Sequence, residues 1–103
     1  MSVLSYLRFA LRDAAGDREA FERDLEEMLV LAREQPGYRW AEVAHSLYDP
    51  AVYVIVSEWD EVDQVRAWEH HPEHEVVIHR WEDAYGEELV HRRFVPWVRP
   101  AGE

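Results

Sequence analysis

The 103-residue chain is long enough for one hydrophobic core and too short for two, so a single domain over 1–103 is expected. It has no cysteine, which excludes disulfides, thiolate metal ligands and cysteine nucleophiles and fits a reducing compartment. All 11 basic residues are arginines and the formal charge is -11, a balance that repels the phosphate backbone of nucleic acid at long range.

The first element in the chain is Val3 to Leu11, VLSYLRFAL. It is apolar on both alternating faces, with Val3, Ser5, Leu7, Phe9 and Leu11 on one and Leu4, Tyr6, Arg8 and Ala10 on the other. Such a pattern predicts a strand covered on both sides. Arg8 is the exception there, and a buried arginine needs an anionic partner such as Glu58 or Glu42. The opening segment MSVLSYLRFALRD has neither a basic leader nor a small-residue cleavage site, so it is not read as an export signal. No apolar stretch reaches the roughly 20 residues that span a bilayer. A soluble cytoplasmic protein with no membrane partner is the expectation.

Residues 12–17 form a turn in which Asp17 can cap the next helix. Phe21, Leu25, Met28, Leu29 and Ala32 recur at helical spacing and set an apolar stripe through Asp17–Glu34. Gln35-Pro36-Gly37 ends it. Tyr38 to Leu47 is a second strand, Tyr48-Asp49-Pro50-Ala51 a turn, and Val52 to Trp59 a third strand in an antiparallel hairpin. A helix over Glu61–His70 follows, opened by Asp60 or its acidic neighbours. Pro72 then starts a second helical segment, Pro72–Ala84. Glu87 to Val98 reads as a final strand, with Pro96 near its end.

The order strand, helix, strand, strand, helix, strand is α+β: a ferredoxin-like split βαβ with an antiparallel four-stranded sheet and its helices on one side. Both sheet faces carry large apolar residues, as in Val52, Val54 and Val56 against Tyr53, Ile55 and Trp59. The far face therefore calls for a second copy of the sheet. A two-fold homodimer is expected, with a pocket between sheet and helices in each subunit. Phe94 and Trp97 fit its seam.

The stretch Tyr53 to His79 concentrates the residues able to do chemistry: tryptophans at 59 and 68, and histidines at 70, 71, 74 and 79. His71, His74, Glu75 and His79 offer nitrogen and carboxylate ligands, but their spacing matches no established zinc signature and HHPEH is not H-E-x-x-H. No metal is assigned. No glycine-rich loop follows a strand, so no nucleotide cofactor is assigned either.

QPGYRW at 35–40, YVIVSEWD at 53–60 and VRAWEHHPEH at 65–74 together resemble the antibiotic biosynthesis monooxygenase domain. The likeness runs from Val3 to about Trp97. It implies a dimeric α+β barrel of ferredoxin-like units. Some members of that family oxidise anthrones or related aromatic polyketides with molecular oxygen and no flavin, metal or haem. Others open haem, and some act on quinols. In the haem-degrading branch Trp68 matches the expected tryptophan, but His79 is displaced by about one residue, a rotation of roughly 100° on a helix. The asparagine position falls near Leu7, so that branch is matched only in part.

For cofactor-free oxygenation of an aromatic substrate, the protein removes a proton and stabilises the carbanion that reacts with oxygen. The catalytic candidates are His71, His74 and His79 as base, with Glu75 placed to orient His79, and Arg8 as the stabiliser of negative charge if it points inward. Trp59, Trp68, Tyr53, Trp81 and Tyr6 are the candidate substrate-binding walls. Trp81 and Tyr85, four apart, fit the core at least as well as the pocket. His45 and His91 are strand histidines, either of which can point into a pocket, with a hydrogen-bonded structural role the expectation. Two other readings stay open: a polyketide cyclase, dehydratase or isomerase using the same pocket by acid–base catalysis, and a non-catalytic dimeric small-molecule-binding or accessory domain.

Overall fold

A computed structural model of the chain describes residues 2–11, 18–85 and 89–97, with the Tyr85 side chain set aside. The expected turn over 12–17 with its Asp17 cap, Gly86 and the tail from 98 lie outside these residues. The elements run β1 (Val3–Ala10), α1 (Arg18–Arg33), β2 (Tyr38–His45), β3 (Val52–Trp59), α2 (Val62–Glu69), α3 (Pro72–Tyr85) and β4 (Val90–Phe94). The first three strands match expectation to within two residues at each end. β4 is shorter than the 87–98 run suggests and ends before Pro96, whose ring removes a ladder donor.

The sheet order is β2-β3-β1-β4, and all three pairings are antiparallel. This is the ferredoxin-like split βαβ expected from element order. Alternation decides which face is buried. Val3, Ser5, Phe9 and Leu11 of the first strand segment are buried, as are Tyr53 and Trp59 of β3. These side chains meet the helices. The opposite face carries Leu4, Tyr6, Arg8, Val52, Val54 and Val56.

Two apolar clusters hold the helix layer down. In one, Phe9, Leu11, Phe21, Tyr53, Trp81 and Ala84 pack together, with Phe21 set edge-on to Phe9, Tyr53 and Trp81 at centroid separations of 5.7, 5.4 and 5.4 Å. Each such ring pair adds about 0.5–1.5 kcal/mol to the burial of its area. In the other, Val3, Trp59 and Val65 pack beneath Tyr38, Val62 and Trp68. The space between the two clusters is where the site lies.

Local chemistry fixes the two ends of α2. Gly37 sits at φ 84°, and its carbonyl accepts the Asp60 N–H at 2.8 Å. The Gln64 side chain fills the space where a Cβ on residue 37 would stand and accepts the Glu61 N–H at 2.9 Å. Glu61, not Asp60, is thus the N-cap. At the other end His71 is the cap of α3: its carbonyl accepts the Glu75 N–H, and its Nδ1 accepts the Glu73 N–H at 3.2 Å.

Candidate active site

A cavity of about 470 Å³ opens between the sheet and the helices. The register explains why it exists. Across the helix-facing side of the sheet, Ala41 pairs with Ser57, Ser57 with Ser5, and Ser5 with Arg93. The small side chains of this transverse row, Ala41, Ser57 and Ser5, are flanked by Val3 and Trp59 on one side and by Val43, Ile55 and Leu7 on the other. Large residues on both sides of a small row leave a trough in the floor. Leu25, Met28 and Leu29 of α1, Val65 and Trp68 of α2, and His74 and Ile78 of α3 roof it.

Trp59 and Trp68 line this cavity. Trp59 is 1% exposed, and its Nε1 donates to the Ser57 hydroxyl at 3.0 Å. Trp68 carries His74 flat on its ring, at 4.3 Å between centroids and 12° between planes. His74 Nδ1 lies 3.0 Å from the Trp68 carbonyl oxygen. A carbonyl can only accept, so Nδ1 is protonated and the Nε2 of the neutral ring keeps its lone pair. Burial pushes the His74 pKa down, helped by nearby His71 and opposed by the Trp68 carbonyl. A half-buried imidazole held neutral, with Nδ1 committed to a carbonyl, has the protonation state of a general base.

The other expected site residues are distributed differently. His71 caps α3, its ring 5.8 Å from Trp68. His79 borders the cavity, but its partner is Glu82 at 3.0 Å, not Glu75. Glu75 instead meets His70 at 3.2 Å. One turn onward on α3, His79 finds the carboxylate three residues ahead of it rather than the one four behind. The expected Glu75–His79 pair is therefore corrected.

Arg8 and Tyr6 project from the even-numbered face of β1 and stand on the far side of the sheet from the cavity. Arg8 is exposed, and Glu58, one of its expected partners, accepts instead from the Trp40 indole at 2.9 Å. Tyr53 and Trp81 face the helices but belong to the core cluster. The Tyr53 hydroxyl accepts from Arg18 Nε and donates to Glu22, each at 2.9 Å. Trp81 Nε1 donates to Asp24 at 2.7 Å. Both polar ends are satisfied away from the cavity, so neither residue is part of its wall. His45 points to solvent and contacts the Ser46 carbonyl oxygen at 3.2 Å. Among the described residues no three histidine, aspartate or glutamate side chains converge as a metal would require.

His91, together with polar residues that sequence reasoning passed over, closes the cavity at β4. Ser5, Ser57, Glu69 and His91 line it. Arg93 donates to the Ser5 hydroxyl at 2.7 Å and meets the Glu69 carboxylate, with His91 Nε2 3.5 Å from that same carboxylate. Burial lowers the pKa of the Arg93 guanidinium, as does the charge of Arg66; it stays charged, as arginine does in proteins. One signal was present in the sequence: Ser5 and Ser57 are serines among the large inward-facing residues of β1 and β3.

Comparison with known proteins places this geometry. Rv0793 from Mycobacterium tuberculosis shares the fold with a TM-score of 0.82 at 16% identity, covering 96% of this chain and 98% of that one. SnoaB, a cofactor-independent oxygenase from Streptomyces nogalater, does so with a TM-score of 0.78 at 18% identity, covering 99% and 98%. A conserved protein from Methanosarcina mazei Go1 gives 0.81 at 8% identity, covering 91% of each chain. No functionally curated protein matches. The sequence profile described as antibiotic biosynthesis monooxygenase matches residues 6–80, from the middle of β1 into α3 and through every cavity-lining helix, so the chain belongs to that family.

Proposed function

We propose that this protein is a cofactor-independent monooxygenase that oxidises an aromatic polyketide of anthrone or hydroxynaphthalene type to a quinone or hydroxylated product. One observation carries the reading: a neutral, half-buried His74 stacked on Trp68 at the wall of a cavity large enough for a fused ring system. Family membership and the likeness to a cofactor-independent oxygenase support it.

On an anthrone, His74 Nε2 takes a proton from the methylene carbon and leaves a carbanion conjugated with the ring carbonyl. The carbanion gives its electrons to molecular oxygen, and a carbon–oxygen bond forms as a peroxide anion. The imidazolium returns its proton to that anion. Loss of water from the hydroperoxide then leaves the new carbonyl, so one O₂ yields one quinone and one water. Trp59 and Trp68 hold the flat rings, and the apolar roof keeps bulk water from protonating the carbanion.

The working form is a two-fold dimer in the same proposal. Tyr6, Val52, Val54 and Val56 make the centre of the far sheet face, with Trp40 and Phe94 at 41% and 51% exposure on its outer strands. A second copy of that face covers it. The experiment is oxygen uptake by the purified protein with an anthrone or hydroxynaphthalene and no added cofactor, under ¹⁸O₂. One labelled oxygen per product is expected. Absence of uptake across a panel of such substrates overturns the oxygenase reading, and turnover without oxygen points to acid–base cyclisation instead.

A further inference from the structure

Ser5 and Ser57 are directly opposed on β1 and β3, and both line the cavity floor. Opposed side chains on neighbouring antiparallel strands have Cβ atoms about 4.5–5.5 Å apart. Their hydroxyls can therefore reach one common atom. Each hydroxyl already accepts a hydrogen bond from a group that can only donate: Ser5 from Arg93 Nη1 at 2.7 Å, Ser57 from Trp59 Nε1 at 3.0 Å. Among the described residues neither hydroxyl hydrogen meets an acceptor. Two oriented donors thus stand side by side in the floor of the trough. The guanidinium behind Ser5 strengthens its donation, since hydrogen bonds in a chain polarise one another.

From this we infer that Ser5 and Ser57 form a two-hydroxyl cradle for an oxygen atom of the substrate, a ring carbonyl that becomes an enolate oxygen when the conjugated methylene carbon across the ring loses its proton. The inference rests on the cavity being an aromatic-substrate site, and it adds which end of the substrate is held and by what. The small row Ala41–Ser57–Ser5 admits a ring edge between the larger flanking rows, so the oxygen is seated at the floor. The Arg93–Glu69 contact sets the guanidinium that orients the Ser5 hydroxyl. Arg93 is accordingly a positioning residue. The two serines are the groups that touch the ligand.

The test uses anthraquinone and anthracene, which share a ring outline and differ in carbonyl oxygens. Binding to the full chain is followed by quenching of tryptophan fluorescence, since Trp59 and Trp68 line the cavity. Ser5→Ala and Ser57→Ala are each expected to weaken anthraquinone about tenfold, the worth of one good hydrogen bond to a polarised oxygen, while leaving anthracene unchanged. Ser57→Thr keeps a hydroxyl and is expected to hold anthraquinone like the parent. That pair of variants decides the matter even if Ser5→Ala does not fold. Equal weakening of both ligands, unchanged anthraquinone binding in both alanine variants, or no binding of either ligand to the parent overturns the cradle. Carbonyl-dependent binding without oxygen uptake sinks the oxygenase chemistry and keeps the cradle. Uptake with serine-independent binding does the reverse.

Discussion

His74 lies on Trp68 with ring centroids 4.3 Å apart and planes 12° from parallel, while its Nδ1 sits 3.0 Å from the carbonyl oxygen of that same residue. One residue thus fixes both the tilt of the imidazole and its tautomer. Neighbouring His71 has a different task, because its ring nitrogen accepts the Glu73 N–H at the start of α3. The two histidines three apart are therefore not interchangeable. His74→Gln is expected to lower kcat/KM by about 10²–10⁴-fold, the range for loss of a general base. His71→Ala should change the rate far less and lower stability by about 0.5–2 kcal/mol, as loss of a helix cap does. Steady-state oxygen uptake and urea unfolding of both variants separate these roles.

The pH dependence follows from the direction of the His74 shift. Burial holds its pKa below the ordinary 6.5. The base form therefore persists into mildly acidic solution, and kcat/KM should fall only below about pH 6.5, with a midpoint under the free-histidine value. Between the folded and unfolded pKa values the unfolded chain binds more protons, so stability rises with pH across that window and is fully present above it. His74→Gln should remove that slope from a plot of unfolding free energy against pH. A midpoint above 6.5 in the rate profile would assign the base elsewhere.

Asp24 fastens α1 to α3. Burial alone would raise its pKa, but hydrogen bonds from the Trp81 indole and the Arg80 guanidinium, each at 2.7 Å, hold it below the usual range. Asp24→Asn keeps the shape and loses the charge that strengthens both bonds. A loss of about 1–3 kcal/mol is expected, with Trp81 fluorescence reporting the change. For a depressed carboxylate, the stabilisation is present above the unfolded pKa of about 3.9 and is lost as pH falls through the folded value. The variant should therefore approach the parent in stability in strong acid.

Much of this architecture can be read from the residues. Strand alternation in VLSYLRFAL and YVIVSEW, the Pro36-Gly37 break and Pro72 at the head of α3 fix the element order, and element order selects the split βαβ. Trp59, Trp68 and the histidine cluster emerge from the same stretch. What alternation cannot supply is the neighbour across a strand. Arg8 stands out in the sequence as the lone charge on an apolar strand, yet its parity with Tyr6 sends both away from the cavity. Arg93 and Ser5 are 88 residues apart, and their contact exists only through β1–β4 pairing. Glu69 carries no mark in the sequence that sets it apart from other helix acids, and only the packing of α2 against β4 brings it to Arg93 and His91. Trp81 carries no mark distinguishing core from pocket until Asp24 is seen to hold its indole.

Gly37 and Gln64 form a coupled pair. Residue 37 has a positive φ, and a Cβ there would collide with the Gln64 side chain that caps α2. Gly37→Ala carries both the backbone strain and the loss of that cap, for which about 1–3 kcal/mol is expected. Gln64→Ala alone loses only the cap, at about 0.5–2 kcal/mol. With Gln64 already truncated, the three atoms nearest a Cβ at 37 are gone and the backbone strain remains. The double variant should therefore be less destabilised than the sum of the singles, a coupling within the 0.5–3 kcal/mol seen for residues in contact. Additive losses would show that the two residues do not touch.

The far sheet face provides the last test. Val54 pairs with Arg8 on β1 and with Ala44 on β2, near the middle of a surface that also presents Tyr6, Val52 and Val56. In the proposed dimer Val54 is buried against the partner's sheet, whereas in a monomer it faces water and tolerates a charge. Val54→Lys should shift sedimentation from dimer to monomer at micromolar concentration, since an ammonium set opposite the Arg8 guanidinium in an apolar interface is unpaired and costs several kcal/mol. Its side chain is on the opposite side of the sheet from the cavity, so anthraquinone binding separates two ways in which the dimer matters. If the monomer binds the ligand as tightly as the parent, the partner sheet supports stability alone. If binding weakens along with dimerisation, the cavity floor depends on a sheet held flat from behind. A parent that sediments as a monomer would leave the far face to some other cover and remove the barrel from the proposal.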